Sequence, residues 1–97
     1  MLMVYSWRMT LPTVHLNGTS AQALYDQAEA AYNALQQAMS LMQQAAPNGR
    51  DYYPQEAGAH YRAQDEHFDR LRRVQGLMAE YEEFLGHLSS EMERRRR

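Results

Sequence analysis

An all-α fold, an antiparallel two-helix hairpin with an extended N-terminal arm and completed by homo-oligomerisation, is predicted by three features of the sequence. Apolar residues recur at steps of three and four over two long stretches. One cluster of helix breakers, "PNGRDYYPQ" at residues 47–55, separates them. The chain is 97 residues long and 44% hydrophobic, enough for one small domain with a modest core that a second copy would complete.

The first helix is predicted over residues 20–46. Residues 10–18 hold Pro12, Thr13 and Val14 and end in Asn17-Gly18, which reads as an extended arm followed by a turn. Thr19 or Ser20 can cap the helix, and Thr19 with Gln22 has capping-box spacing, in which two side chains satisfy two orphan backbone donors. Leu24, Ala28, Ala31, Leu35, Ala38, Met42 and Ala45 then form one stripe, flanked by Tyr25, Tyr32, Met39 and Ala46 at steps of seven. Pro47, Asn48 and Gly49 stop the helix, and Pro54 resets the chain.

The second helix is predicted over residues 56–93, with its stripe at Ala57, Tyr61, Gln64, Phe68, Leu71, Val74, Met78, Tyr81, Leu85, Leu88 and Met92. Gly76 and Gly86 mark places for a bend or a close approach. A short connection folds the helices back antiparallel. The second helix is then longer by about ten residues, or about 15 Å. The surplus is expected at residues 84–93, leaving Phe84, Leu85, Leu88 and Met92 for the arm and for another subunit to cover. Two helices that bury one stripe each rarely stabilise a monomer, which is the argument for oligomerisation. The domain plan is an arm at 1–18, a hairpin at 19–93 and a basic tail at 94–97. Met9 reads as an alternative start, with residues 1–8 as extra sequence whose Tyr5 and Trp7 either pack or hang free.

Composition narrows function. There is no cysteine, so disulfides and thiolate zinc sites are excluded, and the lean is cytoplasmic. His15, His60, His67 and His87 lack the i, i+4 spacing of a helical metal site and read as separate surface or edge histidines; Glu80, Glu82 and Glu83 lack a histidine partner, so no metal site is expected. A net charge of −2 argues against a surface built wholly for nucleic acid. The first nine residues are too short to span a bilayer and lack the pattern of a signal peptide. No P-loop and no nucleophile elbow is present, and the serines have no evident base, so a non-catalytic protein without cofactor is expected. "DEHFDRLRRVQ", residues 65–75, pairs Glu66 with Arg70 and Asp69 with Arg72 or Arg73 as a solvated, salt-bridged face. The terminal "RRRR" complements the dipole at the helix end, or forms a disordered tail touching nucleic acid non-specifically.

Two polar clusters stand apart from the stripes. In "HLNGTS", His15, Asn17, Thr19 and Ser20 surround a helix N-terminus, where orphan N–H groups favour an anion; the alternative is an ordinary cap. In "NGRDYY", Arg50 can grip phosphate or carboxylate, Asp51 can accept from a base or ribose, and Tyr52 and Tyr53 can stack on a planar ring. The alternative is that Asp51 caps the second helix or pairs with Arg50 while one tyrosine plugs the hairpin end. A helix of about 26 residues holds the clusters about 39 Å apart, so one chain cannot unite them. Head-to-tail packing of copies can.

The "PTVHLNGTS" arm and cap, a hairpin of this length and "NGRDYY" in its connection resemble a group of small proteins encoded by tailed bacteriophages and prophages, over most of residues 11–90. Small phage-encoded helical hairpins include homo-oligomeric sponges that sequester nucleotide signals made by bacterial immune systems, and the similarity to these is one of size, architecture and interface-site logic. That resemblance implies a cytoplasmic anti-defence protein in an infected host. It would hold a cyclic nucleotide or ADP-ribose-type ligand between Arg50, Asp51, Tyr52 or Tyr53 of one chain and His15, Asn17, Thr19 or Ser20 of another. The rival expectations are a helical interaction or structural module of a phage, and a nucleic-acid-binding accessory using Arg62, Arg70, Arg72, Arg73 and the tail.

Overall fold

The computed structural model describes residues 9–96 and consists of two α-helices and one 3₁₀ turn, with no strand among the described residues. Tyr5, Trp7 and Arg97 lie outside them. Helix α1 runs Ala21–Gln44 and helix α2 runs Ala59–Arg96, and they pack against each other as a hairpin. No helix among the described residues is long and apolar enough to cross a membrane.

The ends of the helices follow local chemistry. Ser20, in extended conformation, accepts a hydrogen bond from Ala23 N–H through its hydroxyl at 3.1 Å and so satisfies one orphan donor of the first turn. The predicted Thr19–Gln22 capping box does not form, because Ser20 is the cap and places Ala23 at the third position, and Gln22 donates to Asp26 instead. Helix α1 stops two residues before the predicted boundary. Pro47 disfavours helical conformation at Ala46, and Ala45 N–H closes the last turn onto the Leu41 and Met42 carbonyls. Helix α2 starts three residues later than predicted, after Gly58 at φ +93°, a left-handed conformation that suits glycine. It continues to Arg96. No Gly or Pro interrupts its last turns, and Arg94 pairs with Glu91 one turn back.

The register of the hairpin differs from the predicted one. Tyr32 donates to Glu82 at 2.8 Å and sets the two helices level at that point. Twelve residues of α1 follow Tyr32, whereas 23 residues of α2 precede Glu82. The surplus, eleven residues or about 16 Å, therefore lies at the connection and not at residues 84–93. The connection, residues 45–58, is the reason: it is long enough to climb along the first turns of α2. Residues 81–92 consequently have α1 as a neighbour. Leu88, 1% exposed, packs with Val14, Ala21 and Ala28, and Leu24, Tyr25, Tyr81, Phe84, Leu85 and Met92 surround them.

Residues 12–14 are tied to the far end of α2 by two further bonds. His87 Nε2–H donates to the Pro12 carbonyl at 2.7 Å, and the Arg95 guanidinium donates to the Val14 carbonyl at 2.5 Å. The second bond is charge-assisted and the stronger kind. At the other end the predicted stripe is rotated. Ala59 and His67 face inward, while Tyr61 and Phe68 are exposed, because the first turns of α2 pack on the connection and the end of α1. His67, expected at the surface, is thus buried.

Two outcomes test this architecture. Leu88→Ala removes the most buried side chain of the cluster and is expected to cost about 2–5 kcal/mol in urea unfolding; a loss under about 1 kcal/mol would place the centre of the core elsewhere. Gly76 is exposed, and a methyl group added there meets nothing within 4 Å. Gly76→Ala is therefore expected to raise stability by about 0.5–1 kcal/mol, read as a higher melting temperature, and a fall would show that the helix needs glycine there.

Candidate functional site

The connection builds its shape with its own backbone. Asn48 Oδ1 accepts from Arg50 N–H at 3.0 Å, capping a 3₁₀ turn over Gly49–Asp51. Asp51 N–H donates to the Asn48 carbonyl, and Tyr52 and Tyr53 N–H both donate to the Gly49 carbonyl, each at 3.0 Å. One asparagine and one glycine thus carry the turn.

The turn uses the backbone N–H groups of Arg50 and Asp51 but neither side chain. Asp51 does not cap α2, which begins eight residues later, and the ion pairs formed among the described residues do not include Arg50 or Asp51. Both side chains are exposed. The tyrosines divide the two tasks that the sequence leaves open. Tyr52 is half-buried with its ring 6.0 Å from His60, so it closes the end of the hairpin. Tyr53 is 81% exposed. Arg50, Asp51 and Tyr53 therefore stand free on four consecutive residues, with a cation, an acceptor and a planar ring.

The second cluster forms a separate turn. Gly18 N–H donates to the His15 carbonyl at 3.1 Å, and the His15 ring lies back over Gly18, where a methyl group would come within 2.8 Å of Nε2. His15, Asn17, Thr19 and Ser20 are all exposed, and the Ser20 hydroxyl is engaged as the cap. Leu16, at the tip, is 96% exposed. The 24 residues of α1, about 36 Å, separate the two clusters, so one chain does not bring them together.

His67 is the residue that the pattern of the sequence conceals. It is 7% exposed, and its Nε2 has no hydrogen-bond partner among the described residues. The ring lines a cleft of about 240 Å³ beside the connection, with Gln43, Ala46, Pro47, Gln64, Phe68 and Leu71. His67 lies one position off the predicted stripe at Phe68, so periodicity gave no signal for it. Along the rest of α2, Asp69 pairs with Arg72 at 3.6 Å and with Arg73 at 3.1 Å, and Arg62 pairs with Glu56 across the start of the helix. These pairs neutralise much of the basic face that a nucleic-acid reading would require.

Two ionisations are displaced. Hydrogen bonding to Glu82 pushes the Tyr32 hydroxyl up from its ordinary value, with desolvation and the Glu82 charge acting the same way. Glu56 is held below the ordinary carboxylate range by its own backbone N–H and then by Arg62. Comparison of the chain with protein families, with curated proteins and with solved structures finds no match.

The caps and the ion pair give two measurable outcomes. Ser20→Ala is expected to cost about 0.5–2 kcal/mol and Thr19→Ala much less, by thermal unfolding; equal costs would mean that the cap is shared. Because the folded-state pKa of Glu56 is lowered, its contribution is present at neutral pH and lost as pH falls through that lowered value. The difference in melting temperature between the intact protein and Glu56→Gln should therefore shrink between about pH 7 and about pH 3. A difference unchanged over that range would show that ionised Glu56 does not favour the fold.

Proposed function

We propose that this protein is a non-catalytic binder of an anionic, ring-bearing small molecule of the nucleotide class, held at the connection of the hairpin. The observation that carries the reading is the division of labour in residues 48–53. Asn48 and Gly49 hold the turn, Tyr52 packs on His60, and Arg50, Asp51 and Tyr53 are left over for something outside the chain. A guanidinium suits a phosphate, an exposed tyrosine ring stacks on a base, and a carboxylate accepts from a ribose hydroxyl or an exocyclic amine. His15, Asn17 and Thr19 of a second copy would complete the site. The resemblance to phage-encoded sponges extends this reading to sequestration of a nucleotide-derived immune signal in the cytoplasm of an infected bacterium.

A protein-interaction module is the second reading. The exposed apolar side chains Leu16, Leu41, Tyr61, Phe68 and Leu77 favour it. The two readings differ in what the intact protein retains.

The purified protein is incubated with cyclic dinucleotides, cyclic trinucleotides and ADP-ribose derivatives, freed of unbound compound and heat-denatured. One intact compound is expected in the supernatant. Tyr53→Ala should lower the amount retained about 5- to 150-fold, the range that loss of one stacking platform gives, without a change in melting temperature. Nothing released from folded protein would count against this reading for those compounds and leave the interaction module.

A further inference from the structure

The turn at residues 15–18 presents an apolar side chain, and the cleft at the connection has apolar walls. Leu16 is the most exposed of the large apolar side chains in the described residues. None of the described residues covers it. A turn needs no leucine at its tip, where a polar residue would be better solvated. At the opposite end of α1, the cleft offers apolar walls from Ala46, Pro47, Phe68 and Leu71, with the unpartnered His67 imidazole in its lining. Its volume of about 240 Å³ has room for a leucine side chain and falls below the range of drug-sized pockets, about 300–1,000 Å³.

We infer that the cleft receives Leu16 of a second copy of this chain, and that two hairpins lie antiparallel with the turn of each seated in the connection of the other. Three observations select a second copy. The knob and the hole lie at opposite ends of one hairpin, so an antiparallel pair makes the contact twice and closes with two-fold symmetry, leaving no free end to propagate. The chain exposes 7480 Å², against about 5,700 Å² for a compact monomer of its mass, an excess larger than the roughly 800 Å² that each partner gives to a standard interface. The net charge of −2 sets up little repulsion between copies. Asn17, exposed in the same turn, brings an amide to the cleft that contains His67. This arrangement rests on the proposed function for its biological meaning, because it would set His15, Asn17 and Thr19 of one copy beside Arg50, Asp51 and Tyr53 of the other.

The absence of cysteine makes the test direct. Full-length Leu16→Cys and Ala46→Cys proteins are mixed and oxidised mildly, with Leu16→Cys mixed with Glu29→Cys as control. The first mixture is expected to give a covalent heterodimer at least tenfold faster than the control. Light scattering of the intact protein should give a dimer, and Leu16→Asp should raise its dissociation constant at least tenfold. A monomer at about 100 μM, well above the micromolar range of specific assembly, would overturn the inference. Equal crosslinking in both mixtures, or a Leu16→Asp dimer as tight as the intact one, would overturn it too. Ligand retention separates this inference from the function: Tyr53→Ala should keep the dimer, so a dimer that captures nothing refutes only the ligand, and a captured ligand without the Leu16 contact refutes only the geometry.

Discussion

The burial of Leu88 is the contact on which the rest of the hairpin depends. Three parts of the chain meet there: Val14 from the irregular segment, Ala21 and Ala28 from the first turns of α1, and the last third of α2. The alanines matter because they let the α1 backbone come close to a leucine. The bonds from His87 and Arg95 to the Pro12 and Val14 carbonyls hold the segment over this contact. Without them it would have no regular structure to keep it in place.

Fixing that end determines what the other end can do. With the helices level at Tyr32 and Glu82, the surplus of α2 falls beside the connection, and α1 is absent there to cover it. Tyr61 and Phe68 are exposed for this reason, and the cleft around His67 exists for the same reason. The polar turn over residues 48–53 then stands next to an open apolar groove instead of at the tip of a closed hairpin. A consolidated core at one end and an open, exposed surface at the other both follow from this one register.

Much of the fold is legible in the sequence because helices advertise themselves by period. The stripe of α1 and its stop at Pro47 follow from residue spacing and from the missing proline donor. Register is different. It depends on how far the connection climbs, and periodicity carries no information about that, so the surplus was expected at residues 84–93. Tyr61 and Phe68 fit a heptad that continues inward, and only the packing of the connection turns them outward. Bonds to the Pro12 and Val14 carbonyls leave no trace in a sequence, since every residue has a carbonyl. At the candidate site, composition locates the two clusters, but whether Tyr52 or Tyr53 faces out depends on where His60 sits.

The tie between Pro12 and His87 spans 75 positions, and this separation has a consequence for how the protein is made. Contacts between distant positions form late, because the chain between them must be ordered before they can meet. The best-buried cluster therefore closes last, after the connection and the local turns of both helices. On the ribosome, residues 14–28 wait without their partner until residues 84–95 have been synthesised. An apolar segment left exposed for that interval is open to non-native contacts, which closure over Leu88 has to outrun.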